Sequence, residues 1–282
     1  MLMPIAIILS FCSFFTTSVA THAKPIEIVE VIQSVPTTQT PTWLIGDVQY
    51  VIDATTVIDS DNQPLIGNLA VVEFIEVNNL KLATEITPLS IAATDVDDGP
   101  YIFFDEHEQL ISISMNNGVV ERAEFPATQG TRYITTSIPS VPGIAISTTS
   151  TSTPEDTFAL PPKLLAVSDI EGNLNHLIEF LQFHNVIDKE FNWSWGVNHL
   201  LFNGDSVDRG DQVTELLWFI RKLQQQAIEV GGNVHFVLGN HESMILANDI
   251  RYTHPKYKFV AARIGIPYHQ LFNNISILGN WM

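Results

Sequence analysis

The chain has 282 residues, enough for two domains of ordinary size, and a formal net charge of −18. This acidity argues against a nucleic-acid partner, because such binding needs clustered Lys and Arg against the phosphates. Hydrophobic residues make up 45% of the chain, so a sizeable core is possible. Acidic side chains outnumber basic ones 19 to 4 in residues 1–160 and 12 to 9 in residues 161–282. The uneven charge predicts two domains.

Residues 1–23 resemble a secretory signal peptide. An apolar stretch over residues 4–19 is followed by the small residues Ala20 and Ala23, which suit cleavage. The stretch is short and interrupted by Ser and Thr, which disfavours a membrane span. Because no Lys or Arg precedes it, a buried strand or a membrane anchor stays an alternative. We expect a secreted or periplasmic protein without stable membrane insertion after cleavage.

Residues 24–146 are predicted to form a small β-rich domain of unknown role, an antiparallel sheet or sandwich. Apolar and β-branched runs cover 49–58, 69–77 and 109–115. Turn signals separate them, namely Asp61-Asn62, Asn78-Asn79, Asp98-Gly99-Pro100 and Asn116-Asn117-Gly118. The carboxylates in 59–62 and 95–99 could bind calcium but lack the twelve-residue ligand spacing, so solvated turns are the preferred interpretation.

Residues 147–162 are rich in Ser, Thr and Pro and are predicted to be a linker. Strand and helix patterns then alternate through residues 163–282, which predicts an α/β domain with a parallel sheet. Strands are expected at 164–168, 199–203 and 234–238. Helices are expected at 174–183, along the stripe Val213, Leu216, Leu217, Ile220 and Leu223, and at 243–250.

Three polar motifs follow the predicted strands of this sheet. They are DIEGN from Asp169, GDSVDRG from Gly204 and GNHE from Gly239, at intervals of 36 and 35 residues between Asp169, Asp205 and Asn240. Each interval suits one strand–helix crossover, so all three motifs should meet at one edge of the sheet. Asp-x-Glu by itself is as readily explained by a helix N-cap as by a metal site. GDSVDRG, by contrast, has no such simple structural explanation.

The residue types in these motifs suit a two-metal site. Asp169 and Glu171 could hold one cation, Asp205 could bridge two, and Asn240 could bind the second. Two such metals can hold a hydroxide for in-line attack on phosphorus. His241 is then available as general acid, oriented by Asp208. Candidate substrate contacts are Arg209, Asn240 and, more remotely, Arg251.

The motifs GDSVDRG and GNHE resemble those of the protein serine/threonine phosphatase branch of calcineurin-like metallophosphoesterases, and the surrounding sequence is similar to its bacterial-type group. The resemblance covers residues 163–282. It implies a four-layer α/β/β/α fold and metal-dependent hydrolysis of phosphomonoesters, with the roles just assigned. It also implies two divalent ions, Mn, Fe or Zn. Glu171 stands where most relatives have His, which favours a hard ion such as Mn²⁺ or Mg²⁺.

Further ligands of this family lie beyond the point that corresponds to Met282, so we expect a truncated domain with little turnover by itself. His254 and His269 are interpreted as surface or packing residues, and Trp193, Trp195 and Trp218 as core. The leading hypothesis is a phosphatase acting on a phosphorylated protein or small phosphoester. The alternatives are a catalytically incomplete binding module and a phosphodiesterase or nucleotidase of the same superfamily.

Overall fold

The computed structural model describes residues 25–37, 42–59, 61–105, 109–126, 131–147 and 157–282. The predicted signal peptide, 1–23, and most of the predicted linker, 148–156, lie outside them. Within the described ranges, no helix is both long enough and apolar enough to cross a membrane.

A six-stranded sheet forms the first part of the chain and surrounds a core of its own. Its spatial order is β3-β2-β1-β5-β6-β4, and β3 also pairs with β6 in parallel, which curls the sheet towards closure. Trp43, Tyr50 and Phe74 lie in its interior. Asn78 and Asn79 both have positive φ, as a tight β5–β6 hairpin requires. The strands are Ile26–Ser34 (β1), Thr42–Ile45 (β2), Val48–Val51 (β3), Val57–Ile58 (β4), Asn68–Val77 (β5) and Leu80–Ala92 (β6).

A three-stranded antiparallel sheet and a hairpin follow, after a short 3-10 helix at Ala93–Asp95. The predicted turn at Asn117-Gly118 is present, with both φ angles positive. The predicted turn at Asp98-Gly99-Pro100 is wrong: these residues begin a strand that contains a register shift. Asp98 is also buried rather than solvated. The strands are Asp98–Phe104 (β7), Leu110–Asn116 (β8), Val119–Phe125 (β9), Thr131–Thr135 (β10) and Gly143–Ser147 (β11).

The prediction of an α/β fold is confirmed by a parallel sheet in the last part of the chain, with order β12-β13-β14. The predicted apolar stripe is buried along the second helix. The third helix starts at Asn240 rather than at residue 243, because the Glu242 side chain accepts a hydrogen bond from Gly239 N over 2.7 Å and so satisfies a free donor at the helix start. The elements are Leu164–Val167 (β12), Leu174–Phe183 (α1), His199–Asn203 (β13), Val213–Glu229 (α2), Asn233–Val237 (β14), Asn240–Leu246 (α3), Pro255–Ile264 (α4), a 3-10 helix at Tyr268–Phe272, and Ile277–Trp281 (α5).

Strand β7 packs directly on α2, and one apolar core runs from the β-rich part into the parallel sheet. Trp218 Nε1 on α2 donates to the carbonyl of Pro100 over 2.9 Å. Arg221 on the same helix donates to the carbonyl of Ala145 over 3.0 Å. The helix that follows the second polar motif is therefore held in place from both sides.

Candidate active site

The three polar motifs lie together at the carboxyl end of the parallel sheet. The register pairs Val167 with Phe202 and Asn203 with Val237, so the loops that follow these strands start side by side. Backbone hydrogen bonds join the first two loops, from Asp169 N to the carbonyl of Gly204 at 3.3 Å and from Glu171 N to that of Asp205 at 3.0 Å. The convergence expected from the 36- and 35-residue spacing is present.

The backbone of these loops adopts conformations that are unusual for residues with side chains. Five predicted site residues have φ between 51° and 69°, in the left-handed region. Few residues other than glycine adopt this region, and such strain concentrates where a side chain must be aimed for function. The five are Asp169, Glu171, Asp205, Asp208 and Arg209.

Two glycines allow the second and third loops to touch. A Cβ atom on Gly204 would lie 2.6 Å from the Cα of Gly239, and one on Gly239 would lie 2.3 Å from Asp205 Oδ1. Both distances are well inside van der Waals contact, so neither position has room for a side chain. The glycines of GDSVDRG and GNHE thus place Asp205 against the start of α3.

The buried carboxylate of Glu242 ties the second loop to the third. Its Oε1 accepts hydrogen bonds from the backbone N–H groups of Ser206 and Val207, at 2.7 and 3.3 Å. Its Oε2 accepts from Asp205 N at 2.9 Å and from Gly239 N at 2.7 Å. One fully buried side chain therefore satisfies four backbone donors. This residue fixes the loop that carries Asp205 and Asp208.

His241, Asp208 and Thr253 form a buried chain of hydrogen bonds. His241 Nδ1 lies 2.9 Å from Asp208 Oδ2, and Thr253 Oγ1 donates to Asp208 Oδ1 over 2.9 Å. Because an ionised carboxylate only accepts, Nδ1 is the nitrogen that carries a proton in this contact. Nε2 then faces outward, 3.4 Å from Arg209 Nη2. The ring is held in the orientation that a proton donor at Nε2 needs.

Arg209 and Tyr252 border the outer side of this histidine. The Arg209 guanidinium contacts the carboxylate of Glu171, and this hydrogen bond raises the pKa of Arg209. The Tyr252 ring lies 5.3 Å from that of His241 and 5.7 Å from the Arg209 guanidinium, measured between centres. The Arg251 guanidinium lies 5.8 Å from the centre of the same ring and pairs with Asp249. Two exposed guanidinium groups therefore lie near one aromatic side chain.

Glu242, Thr253 and Tyr252 were not selected in the sequence analysis. Glu242 carried no capping-box signal, because the residue three positions before it is Gly239, which has no side chain to complete a capping box. Thr253 and Tyr252 lie on an irregular segment, and no sequence spacing predicts their contacts. His254 caps α4 through Nδ1, which accepts from Lys256 N at 3.3 Å, and is not in the site. His269 lies in the last 3-10 helix, which packs against α3.

Residues 162–281 match the family model described as calcineurin-like phosphoesterase. This part of the chain is similar to calcineurin-like phosphoesterases and is called the phosphoesterase domain below. Shewanella-like protein phosphatase 2 of Arabidopsis thaliana is 31% identical over 125 residues, which are 44% of this chain and 30% of that protein. Shewanella-like protein phosphatase 1 of Plasmodium berghei is 34% identical over 94 residues, which are 33% of this chain and 26% of that protein. The chain thus spans under a third of the length of these relatives.

Solved structures agree with this assignment. A structure described as a cold-active protein tyrosine phosphatase superposes with a TM-score of 0.58 and 32% identity, over 66% of this chain and 54% of that one. The cold-active protein-tyrosine phosphatase of a psychrophilic Shewanella species gives 0.56 over 66% and 55%. Because residues 162–281 are less than half of this chain, the likeness extends into the β-rich part.

The phosphoesterase family implies divalent metal ions, and the donor chemistry of the motifs fits them. Asp169, Glu171, Asp205 and Asn240 offer only oxygen atoms, as Mn²⁺ and Mg²⁺ prefer. No group of three or more His, Cys, Asp or Glu side chains is preassembled at ligand spacing within the described residues. A cation on Glu171 competes with Arg209 for the same carboxylate. The loops supply suitable donors whose final arrangement depends on the ion.

Proposed function

We propose that the phosphoesterase domain hydrolyses phosphomonoesters, with His241 donating a proton to the leaving oxygen. The observation that carries this proposal is the buried His241–Asp208 hydrogen bond beside Arg209 and Asp205, on loops joined by the Glu242 carboxylate. A histidine with one nitrogen fixed by a carboxylate and the other facing a cationic side chain is suited to transfer a proton next to a bound anion.

Each residue has a separate task in this scheme. Asp169, Glu171, Asp205 and Asn240 would hold two divalent ions, with Mn²⁺ favoured. When bound, these ions polarise the phosphoryl group and make water a better nucleophile. Arg209 moves from Glu171 to two phosphate oxygens, which its planar guanidinium matches. This movement also frees Nε2 of His241 to face the leaving oxygen. Asn240 and Arg251 are further candidates for contacting substrate.

We propose a phosphorylated protein as the substrate and phosphotyrosine as the phosphorylated residue. Two relatives are named protein phosphatases, and two structural neighbours are described as protein tyrosine phosphatases. Tyr252 is 46% exposed beside His241. Its ring can stack on an aryl leaving group, a contact typically worth about 0.5–1.5 kcal/mol. Secretion or export through residues 1–23 and a domain boundary at residues 147–162 belong to the same proposal.

Phosphate binding and turnover, measured with Mn²⁺ present, test the proposal together. The purified chain should bind inorganic phosphate in calorimetry, and Asp205→Asn should abolish that binding. Hydrolysis of nitrophenyl phosphate and of a phosphotyrosine peptide is assayed on the same samples. A folded, Mn²⁺-loaded protein that neither binds phosphate nor hydrolyses either substrate would refute the proposal.

A further inference from the structure

A groove with a volume of about 1160 Å³ separates the six-stranded sheet from α4. Strand β1 forms one wall, and Glu73 on the neighbouring strand β5 extends it. Helix α4 and the residues 265–268 form the other wall, and residues 248–251 close one end. The two walls belong to the β-rich part and to the phosphoesterase domain, so the groove exists only where both are present.

The groove opens next to the candidate active site. Arg251 lines its end, and its guanidinium lies 5.8 Å from the Tyr252 ring. That ring is 5.3 Å from the ring of His241. Tyr252 also accepts a backbone hydrogen bond from Arg209 N over 2.9 Å, which fixes this segment against the second motif. The groove therefore begins at Arg251, next to Tyr252 at the edge of the candidate site.

The sheet wall of the groove carries more acidic side chains than the neighbouring basic side chains neutralise. Glu27 on β1 and Glu73 on β5 are directly opposite in the antiparallel ladder, so their side chains lie on the same side. Lys258 on α4 pairs with Glu27 at 2.5 Å. Within the described residues, no ion pair involves Glu73. Its other neighbour across the sheet, on β6, is Glu85. Like charges in such positions repel each other and attract a cation.

Apolar side chains occupy the floor between these charges. Ile266 is half-buried and Ala262 is exposed, and both line the groove; Ile28 lines it too but packs against the core of the six-stranded sheet. The ion pairs Glu27–Lys258 and Glu30–Arg263 connect β1 to α4. A groove with an apolar floor and an acidic wall suits a peptide whose side chains are partly basic. It disfavours a nucleic acid, whose phosphates would face Glu73.

We infer that this groove binds the polypeptide flanking the phosphorylated residue of the substrate and selects Lys or Arg in that flank through Glu73. The inference rests on the proposed function and specifies its substrate class. A basic side chain of the substrate would pair with Glu73 in the way that Lys258 pairs with Glu27. Because Glu73 is partly exposed, the gain is that of a surface ion pair, about two- to five-fold in affinity.

Peptides that carry a non-hydrolysable phosphotyrosine analogue test the inference without requiring turnover. Two fluorescent peptides are compared by anisotropy at low ionic strength with Mn²⁺: one has Lys on both sides of the phosphonomethyl-phenylalanine, the other has Ala. The Lys peptide should bind about two- to five-fold more tightly. Glu73→Gln should remove this preference. Glu76→Gln removes the same charge from an exposed position on the same strand, outside the groove, and should preserve it.

Equal affinities for the two peptides in the unmodified protein would overturn the inference. So would a preference that survives Glu73→Gln, or one that Glu76→Gln reduces equally. Inorganic phosphate is titrated in parallel, so that a failure of the groove assignment can be distinguished from a failure of the proposed function. If phosphate binds while the flank has no effect, the groove assignment fails and the proposed function stands. If neither binds to the folded protein, both fail.

Discussion

At the scale of single residues, the site depends on side chains that fix others. Glu242 accepts four backbone hydrogen bonds, and Thr253 holds the oxygen of Asp208 that does not face His241. Neither residue needs to touch substrate. Their effect is to limit the positions that Asp205 and His241 can adopt, which is what a preorganised site requires.

His241→Asn should lower kcat by about 10²–10⁴-fold on a phosphoserine peptide in any preparation with measurable turnover, because the serine alkoxide leaves poorly without a proton. The loss should be much smaller on nitrophenyl phosphate, whose leaving group needs little protonation. Mn²⁺ affinity should change little, since His241 is assigned no ligand role. An equal loss on both substrates would show that the histidine is structural.

Glu242→Gln should destabilise the fold by about 1–3 kcal/mol, because an amide group cannot accept all four N–H bonds and leaves a buried donor unpaired. Urea unfolding measures the change. Glu229→Gln is the matched control, since Glu229 is exposed at the end of α2. Equal stability of the two variants would contradict the role assigned to the Glu242 carboxylate.

At the scale of elements, α2 is the contact between the β-rich part and the catalytic loops. Tyr101 on β7 bonds Thr214 on α2 at 3.0 Å. Next to it, Lys256 on α4 lies 3.3 Å from Glu215 and 3.9 Å from Asp98. Two buried carboxylates thus share one lysine. Burial raises the pKa of Glu215 to about 7 despite this lysine, and it also raises the pKa of Asp98.

Stability should therefore fall as the pH rises from about 4.5 to 7. The folded state retains a proton on Glu215 that the unfolded state releases, so ionisation favours unfolding. Glu215→Gln should flatten this dependence by about 3 kcal/mol between pH 4.5 and 7, leaving a slope of the same sign from Asp98. Urea unfolding at several pH values measures it, with Glu190→Gln as an exposed control. Unchanged slopes in both variants would contradict the assignment.

The elements of the parallel sheet could be predicted because their signals are local. The helix at 174–183 and the strand at 199–203 occur as predicted, and the buried stripe of α2 follows its 3.6-residue period. The β-rich part was less predictable, because strand pairing depends on distant partners. The run at 49–58 contains two strands joined by a turn, and Gly99-Pro100 lies inside a strand that also contacts α2 and α5.

In the candidate site, too, features with a local sequence signal could be predicted and contacts between distant segments could not. Motif residues could be selected from the sequence, since their spacing places them at one sheet edge. The contact between Arg209 and Glu171 could not be predicted from the sequence, because Arg209 was expected to contact phosphate and Glu171 to bind a cation. The positions of Thr253 and Tyr252 depend on the segment after α3, which follows no repeating pattern.

At the scale of the whole molecule, the β-rich part and the phosphoesterase domain share a core, a buried charge cluster and a groove. The account joins these features to one chemical centre, in which three loops gather oxygen donors for divalent ions. The central proposal is that Asp205 would hold divalent ions there, together with Asp169, Glu171 and Asn240.

Manganese binding by calorimetry tests that claim most directly. The unmodified chain should bind Mn²⁺, and Asp205→Asn should lose the binding while circular dichroism and urea unfolding show an intact fold. Asp211→Asn is the control, since Asp211 is exposed in the same loop and lies outside the proposed ligand set. An intact unmodified protein that binds no Mn²⁺ at millimolar concentration, or an Asp205→Asn variant that binds it equally well, would contradict the account.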